Sequence, residues 1–322
     1  MMGRPGSVGG SELMSDERAV VLGAGPVGLA LVERLVADGV ETRVVTRSGR
    51  AATPEGVELV AADISDSEQA TRACAGAGIV YSCVGLSYQG WPEKWPPMMT
   101  GMLAGAAAAG ARFVFMDNCY MYGPVTVPMT EDLPLTDYGS KPATRAKLTR
   151  MWQEAHNAGR VEAASVRASD FYGPGVSNAA LGDLSVGRMA KGKSAQVVGS
   201  VDNLHSFAYV PDIARALVSV GEADDAMGQA WNVPNAPDKT VRQVLEMFAD
   251  SLGQPLKIQA MPKMLISALG LFNADLRELK EMLYQWECPF QVDASKFAAR
   301  FWSDATPWEQ GIAETAPSYS TA

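Results

Sequence analysis

Histidine is almost missing from the 322-residue sequence, which has only His156 and His205. No grouping of His, Cys and carboxylates has metal-ligand spacing, so no metal site is expected. Cysteine is scarce as well: Cys74, Cys83, Cys119 and Cys288 lie far apart, with no zinc-finger or redox pair. Three of them fall in apolar strand or helix contexts, where Cys acts as a small buried hydrophobe. A reducing, cytoplasmic setting is the expectation. No run of about 18 apolar residues exists, which excludes a membrane-spanning helix, and the Ala-rich stretch 102–111 is too short and reads as a buried helix. Positive charge is short: 27 Lys and Arg stand against 36 Asp and Glu, a net charge of −9. That balance argues against a nucleic-acid partner, which needs a basic face. The Gly- and Ser-rich opening, residues 1–17, has no apolar core of a signal peptide and is expected to be disordered.

Apolar residues, at 47% of the chain, suffice for a large core. Short Val-rich runs at 19–22, 42–46, 57–61, 79–83, 112–116 and 163–167 read as strands. They alternate with helical patterns at 26–37, 68–75, 98–109 and 143–158. Strands that are apolar on both faces, separated by helices, predict a Rossmann-type α/β fold, a doubly wound parallel sheet. After residue 168 the rhythm changes. Helices are expected near 179–190, 213–220, 241–252 and 276–286, with strands near 195–198 and 230–233. The expected division is a dinucleotide-binding domain at 18–168 and a smaller mixed α/β substrate lobe at 169–322, with strand returns to the first domain. The polar tail after Trp308 is expected to fray.

The segment Val20-Val21-Leu22-Gly23-Ala24-Gly25-Pro26-Val27-Gly28 follows a strand and opens a helix. In that context three spaced glycines form a dinucleotide fingerprint: Gly23 for the turn, Gly25 for backbone approach to a pyrophosphate, Gly28 for close helix–strand packing. The next strand ends in Val45-Thr46-Arg47-Ser48-Gly49-Arg50. An NAD site places an acid there, about 20 residues on, for the ribose hydroxyls. Here Arg47 and Arg50 take its place and suit a 2′-phosphate, so NADP is expected over NAD. Asp63 is expected either to bond the adenine or to cap the helix that follows.

Further segments resemble the short-chain dehydrogenases/reductases of the extended or atypical kind, the NAD-dependent epimerase/dehydratase group. They are Ala62-Asp63-Ile64-Ser65-Asp66, Asn118-Cys119-Tyr120-Met121-Tyr122-Gly123, Thr130-Glu131-Asp132-Leu133-Pro134, Arg167-Ala168-Ser169-Asp170-Phe171-Tyr172-Gly173-Pro174-Gly175 and Phe207-Ala208-Tyr209-Val210-Pro211-Asp212-Ile213-Ala214. The fourth of these resembles an Arg-x-x-Asn-x-Tyr-Gly-Pro-Gly pattern of the group, with Asp170 at the position of the Asn. The resemblance runs from about residue 19 to 300. It implies cofactor contacts by Ile64, by Val84 and Gly85 after the fourth strand, by Lys141, and by Ala168 and Ser169 after the sixth. It also implies a small-molecule substrate and a homodimer.

The catalytic centre departs from the pattern of the group, which has a Ser or Thr, and a Tyr four residues before a Lys. Here Tyr138 and Lys141 are three apart, Pro142 follows, and Asn118 stands in the place of the Ser. With Ser140 as a good N-cap, the helix is expected to begin near Lys141, leaving Tyr138 before it. The acid is therefore expected from Tyr138, Tyr120 or Tyr122, or from a carboxylate among Asp137, Asp117 and Asp170. Trp91, in a Pro-rich loop with Tyr88 and Trp95, is a candidate substrate wall. Asp170 and His205 are candidate substrate contacts, with a structural His205 equally open. His156, late in a helix, reads as a solvated residue favoured by the helix dipole. The expected activity is an NADP-dependent oxidoreductase acting on a carbonyl or alcohol of a small metabolite. The alternatives are a redox-neutral epimerase, dehydratase or lyase that retains its cofactor, and a cofactor-binding sensor without chemistry.

Overall fold

A computed structural model describes residues 18–261 and 278–320. The expected disorder of residues 1–17 and the first part of the expected 276–286 helix lie outside the described residues. The first half alternates β1 (Arg18–Leu22), α1 (Pro26–Ala37), β2 (Thr42–Thr46), β3 (Glu58–Ala61), α2 (Ser67–Cys74), β4 (Ala77–Ser82), α3 (Trp91–Ala109), β5 (Arg112–Asp117), α4 (Ser140–Asn157) and β6 (Ala163–Arg167). Beyond it lie β7 (Asp170–Tyr172), α5 (Val186–Ala190), β8 (Ala195–Val198), β9 (Leu204–His205), β10 (Phe207–Tyr209), α6 (Val210–Glu222), β11 (Ala230–Asn232), β12 (Lys239–Thr240), α7 (Val241–Leu252) and β13 (Ile258–Met261). The last described helices are α8 (Tyr284–Glu287), α9 (Ser295–Arg300), α10 (Trp308–Thr315) and α11 (Pro317–Ser320).

Seven strands form one parallel sheet in the order β11-β6-β5-β4-β1-β2-β3. The chain runs outward from β1 through β3, then returns to the other side of β1 as β4. This reversal opens a crevice at the carboxyl ends of β1 and β4, where such sheets bind ligands. Successive side chains of β1 alternate between faces. Val20 and Leu22 join Trp95, Met99, Met102 and Trp152 from α3 and α4, and Ala19 and Val21 join Leu31, Leu35, Ile213 and Leu217 from α1 and α6. A third core gathers Tyr172, Phe207, Val244, Phe248, Trp308 and Ile312.

Four expectations need correction. Helix α3 begins at Trp91, seven residues earlier than expected, with Pro96 and Pro97 inside it. Trp91 and Trp95 are buried on its inner face, and the Trp91 indole donates to the Ser87 carbonyl at 2.8 Å. Burial of two indoles outweighs the two lost backbone bonds. Only 186–190 of the expected 179–190 segment is helical. The tail forms α10 and α11 instead of fraying, because Trp308, Ile312 and Tyr319 insert into the third core. His156 is half-buried, and its Nδ1 accepts the Ala163 N–H at 3.2 Å, which ties the end of α4 to the start of β6.

Candidate active site

The glycine loop shows three different needs. Gly23 turns the chain with φ +98°, and a Cβ there would lie 2.8 Å from the Cys83 carbonyl oxygen. A Cβ on Gly28 would lie 2.2 Å from the Gly23 carbonyl oxygen, so α1 packs on the loop only through glycine. Gly25 is exposed, and a Cβ there would meet nothing within 4 Å. The space it leaves is outside the protein, where a ligand backbone would pass. Pro26 opens α1, Val27 is buried beneath it, and no side chain caps the helix. The first-turn amides are thus left for an anion at the positive helix end. These residues fit a dinucleotide diphosphate.

At the end of β2, the Arg50 N–H donates to Thr46 Oγ1 at 3.2 Å and folds a short turn. Arg47 and Arg50 are exposed on it, and neither guanidinium has a hydrogen bond or ion pair among the described residues. Asp63 is not the cap of α2. That role falls to Asp66, which accepts from the Glu68 and Gln69 amides. Asp63 instead accepts the Ser65 hydroxyl at 2.7 Å and the Ser65 N–H at 3.0 Å, and these bonds hold its pKa below the usual carboxylate value. Ile64 is buried, with its carbonyl against Gly101 of α3.

Farther along the same edge, past β4, β5 and β6, lies a cavity of about 130 Å³. It brings together eight of the candidates named from the sequence, Gly85, Tyr88, Trp91, Asn118, Tyr120, Ala168, Ser169 and Asp170, and adds Leu86, Met116, Arg145 and Phe171. Val84 sits half-buried beside it. Asn118 Oδ1 accepts the Tyr120 N–H at 3.0 Å, so the NH₂ is the part of this amide left to donate to a ligand oxygen. The Tyr120 and Tyr88 hydroxyls are 3.2 Å apart. Burial pushes Tyr120 well above the ordinary phenol value and Tyr88 up to about 12. Both therefore stay neutral, able to donate a hydrogen bond but poor at giving up the proton. The Ser169 hydroxyl donates to the Asp170 carbonyl at 3.2 Å.

Arg145 was not singled out by the sequence. Its guanidinium lies 4.1 Å from the Trp95 ring centroid and 4.7 Å from that of Trp91, and it donates to Asp117 Oδ1 at 3.1 Å. Burial lowers the Arg145 pKa and raises that of Asp117, each against the pull of its partner. The one signal was its position one helical turn after Lys141, on the same face of α4. Asp117, a candidate acid, is thus committed to an ion pair beneath the cavity.

Tyr138, Lys141, Tyr122 and His205 are outside the cavity lining. Tyr138 is 44% exposed and meets Tyr284 edge-on at 5.7 Å. Helix α4 starts at Ser140 with Gly139 before it and no side-chain cap, and Ser140 Oγ donates to Glu281 at 2.9 Å instead. Lys141 is 1% exposed, its ammonium bonded to Glu278 and, at 2.9 Å, to Glu281. Burial opposes ionisation of Glu281, but hydrogen bonds from the Lys141 N–H, the Lys141 ammonium and the Ser140 hydroxyl outweigh it and lower its pKa. The Tyr122 hydroxyl is bonded by the buried Arg167 guanidinium. His205 lies behind the cavity wall, its Nε2 2.9 Å from Asp170 Oδ2.

A Rossmann sheet with a glycine loop at its switch point and a polar cavity past β5 and β6 defines a nicotinamide-dinucleotide enzyme class. Residues 19–233 match the profile of the NAD dependent epimerase/dehydratase family, and the chain belongs to that family. A curated relative, 3beta-hydroxysteroid-dehydrogenase/decarboxylase isoform 2 of Arabidopsis thaliana, is 23% identical over 308 residues, covering 85% of this chain and 53% of the relative. The chain thus spans about half the length of that protein. An epimerase from Methanothermobacter thermautotrophicus has a similar structure, with a TM-score of 0.81 at 17% identity, covering 96% of this chain and 93% of that one. So does a dTDP-glucose 4,6-dehydratase from Streptomyces venezuelae solved with NAD, at 0.77 and 19%, covering 94% and 96%. A UDP-glucose 4-epimerase from Thermus thermophilus in complex with NAD gives 0.77 and 19%, covering 95% and 99%. At these identities the likeness establishes the fold.

Proposed function

We propose that this protein is an NADP(H)-dependent oxidoreductase that interconverts an alcohol and a carbonyl on a small substrate. The observation that carries the cofactor reading is the pair of exposed guanidiniums, Arg47 and Arg50, free of hydrogen bonds and ion pairs among the described residues, where an NAD enzyme places a carboxylate. Gly23, Gly25 and Gly28 would hold the diphosphate, and Gly85, Ala168 and Ser169 would line the nicotinamide end. When bound, the nicotinamide supplies hydride transfer. The chain's own groups orient the substrate oxygen through the Asn118 amide and the Tyr88 and Tyr120 hydroxyls, while the apolar side chains of Leu86, Met116 and Phe171 keep water out. The aromatic side of the cavity, Tyr88, Trp91 and Tyr120, suits an apolar carbinol, and the Arabidopsis relative is itself named for a hydroxysteroid.

Fluorescence titration tests the reading. NADPH should bind at least about tenfold more tightly than NADH, the equivalent of roughly 1.4 kcal/mol and within reach of one charge-assisted pair. Replacing both Arg47 and Arg50 with Ala should erase that preference while leaving NADH affinity unchanged. Tighter binding of NADH, or an indifferent double variant, would refute it.

A second reading is favoured by one observation, the Asp170 carboxylate in the cavity wall. A carboxylate beside a transient carbonyl can move protons on and off the neighbouring carbon, as a redox-neutral epimerase or dehydratase requires. Cofactor that survives gel filtration, with turnover and no net change in nicotinamide absorbance, would mark this reading. In either case a second copy docked on the outer α3–α4 face completes the proposed homodimer.

A further inference from the structure

Asp170 and His205 form a contact between the cavity wall and the aromatic core behind it. Asp170 is 18% exposed and lines the cavity, while His205 behind it is 1% exposed. Their contact, Nε2 to Oδ2, is 2.9 Å. The imidazole is held in an aromatic box: Trp286 stacks at 4.3 Å with an interplanar angle of 6°, Phe290 at 4.9 Å, and Phe207 at 4.6 Å. These faces fix the plane of the ring and so the direction in which Nε2 points. Oδ1 of Asp170 accepts no hydrogen bond among the described residues. One oxygen is thus anchored and the other left for a ligand. This carboxylate stands where the resembled pattern has Asn, so the chain carries an ionisable group in place of an amide.

We propose that Asp170 is the acid/base of this cavity and that the buried His205 is its positioning residue, a dyad that replaces the tyrosine and lysine of the related pattern. The inference rests on the alcohol–carbonyl reading above. On oxidation, the substrate hydroxyl proton passes to Asp170 Oδ1, and the O–H pair becomes the second bond of the carbonyl. An oxidised nicotinamide, when bound, would accept the hydrogen on that carbon together with its electron pair. On reduction, Asp170 returns the proton. The neighbouring hydroxyls of Tyr88 and Tyr120, held neutral by burial, donate to the same oxygen without exchanging the proton. Tyr138 is displaced to the surface and Lys141 is occupied by two glutamates, so neither group of the related pattern is placed for this step.

The groups that feel the Asp170 charge are His205, the Tyr88, Tyr120 and Tyr284 hydroxyls and the Cys119 thiol. Two cations stand nearby: Arg145, which shares the cavity with Asp170, and Lys239, the cross-strand neighbour of His205.

The test compares variants in the reduction of 4-nitrobenzaldehyde by NADPH. Asp170→Asn should lower kcat by at least about 100-fold, the scale of a lost general acid, with the NADPH dissociation constant unchanged. His205→Phe fills the aromatic box but cannot donate. It should lower kcat by about tenfold and displace the pH profile of kcat, while His205→Gln, which keeps a donor, should restore most of the rate. Retention of more than half the wild-type kcat by Asp170→Asn, or a loss carried by Tyr138→Phe instead, would overturn the dyad. If the wild type reduces no carbonyl, the proposed activity fails, and the dyad is decided by NMR of ¹⁵N-histidine protein loaded with NADP⁺. With two histidines the spectrum is simple to assign. The His205 Nε2–H signal should be present, should shift on adding 4-nitrobenzyl alcohol, and should be lost in Asp170→Asn. A signal indifferent to both would overturn the proposal.

Discussion

Gly25 and Gly28 are three residues apart and should fail in different ways when given a side chain. A Cβ on Gly28 meets the Gly23 carbonyl oxygen, whereas one on Gly25 meets nothing. Gly28→Ala should therefore destabilise the fold by about 1–3 kcal/mol, the usual range for overpacking, and should weaken cofactor binding with it. Gly25→Ala should leave the melting temperature nearly unchanged and still weaken NADPH binding, because the only space it fills is the path of the diphosphate. Thermal melts and titrations on the two variants check this, and equal melting temperatures would contradict the packing account. At this scale the sequence was a good guide to the loop, since glycine spacing reports backbone geometry directly. It was a poor guide to Arg145, whose importance comes from Trp91, Trp95 and Asp117, which are brought together only by the packing of α3, α4 and β5.

At the scale of elements, the start of α4 is locked to the segment that holds Glu278 and Glu281. Glu281 accepts the Lys141 N–H at 2.7 Å, the Lys141 ammonium and the Ser140 hydroxyl. Its pKa is lowered from 4.5, so its contribution to stability is full above that value and is lost as pH falls through the lower folded value. The gap in melting temperature between wild type and Glu281→Gln should be constant near neutrality and shrink below about pH 4.5. A gap that widens in acid would show that the bonds do not act this way. The central strands and α1 were legible because their apolar period is unambiguous. The beginning of α3 was not, because prolines at 92, 96 and 97 argue locally for a loop, whereas that of α4, expected near Lys141, falls at Ser140. Burial of Trp91 and Trp95 against distant parts of the chain decides the start of α3, and that burial is not visible in a local window. The tail misled for the same reason: its polar residues face out, while Trp308, Ile312 and Tyr319 supply the docking face.

At the scale of the whole molecule, the outer face of α3 and α4 carries a groove of about 360 Å³ with Leu103, Ala104, Ala107 and Met151 along it. Sedimentation should give a dimer for the wild type and a monomer for Leu103→Glu, and a monomeric wild type would remove the proposed assembly. In the proposed function the two ends of the sheet edge act together: the glycine loop and two arginines would hold an NADP molecule whose nicotinamide would reach the cavity walled by Asn118, Tyr120 and Asp170. A crystal structure of the protein with NADP⁺ tests this most directly. The account predicts the diphosphate at Gly25 and the first turn of α1, the 2′-phosphate between Arg47 and Arg50, and the nicotinamide ring in the cavity facing Asp170. A cofactor whose 2′-phosphate avoids both arginines, or whose nicotinamide lies outside that cavity, would contradict it.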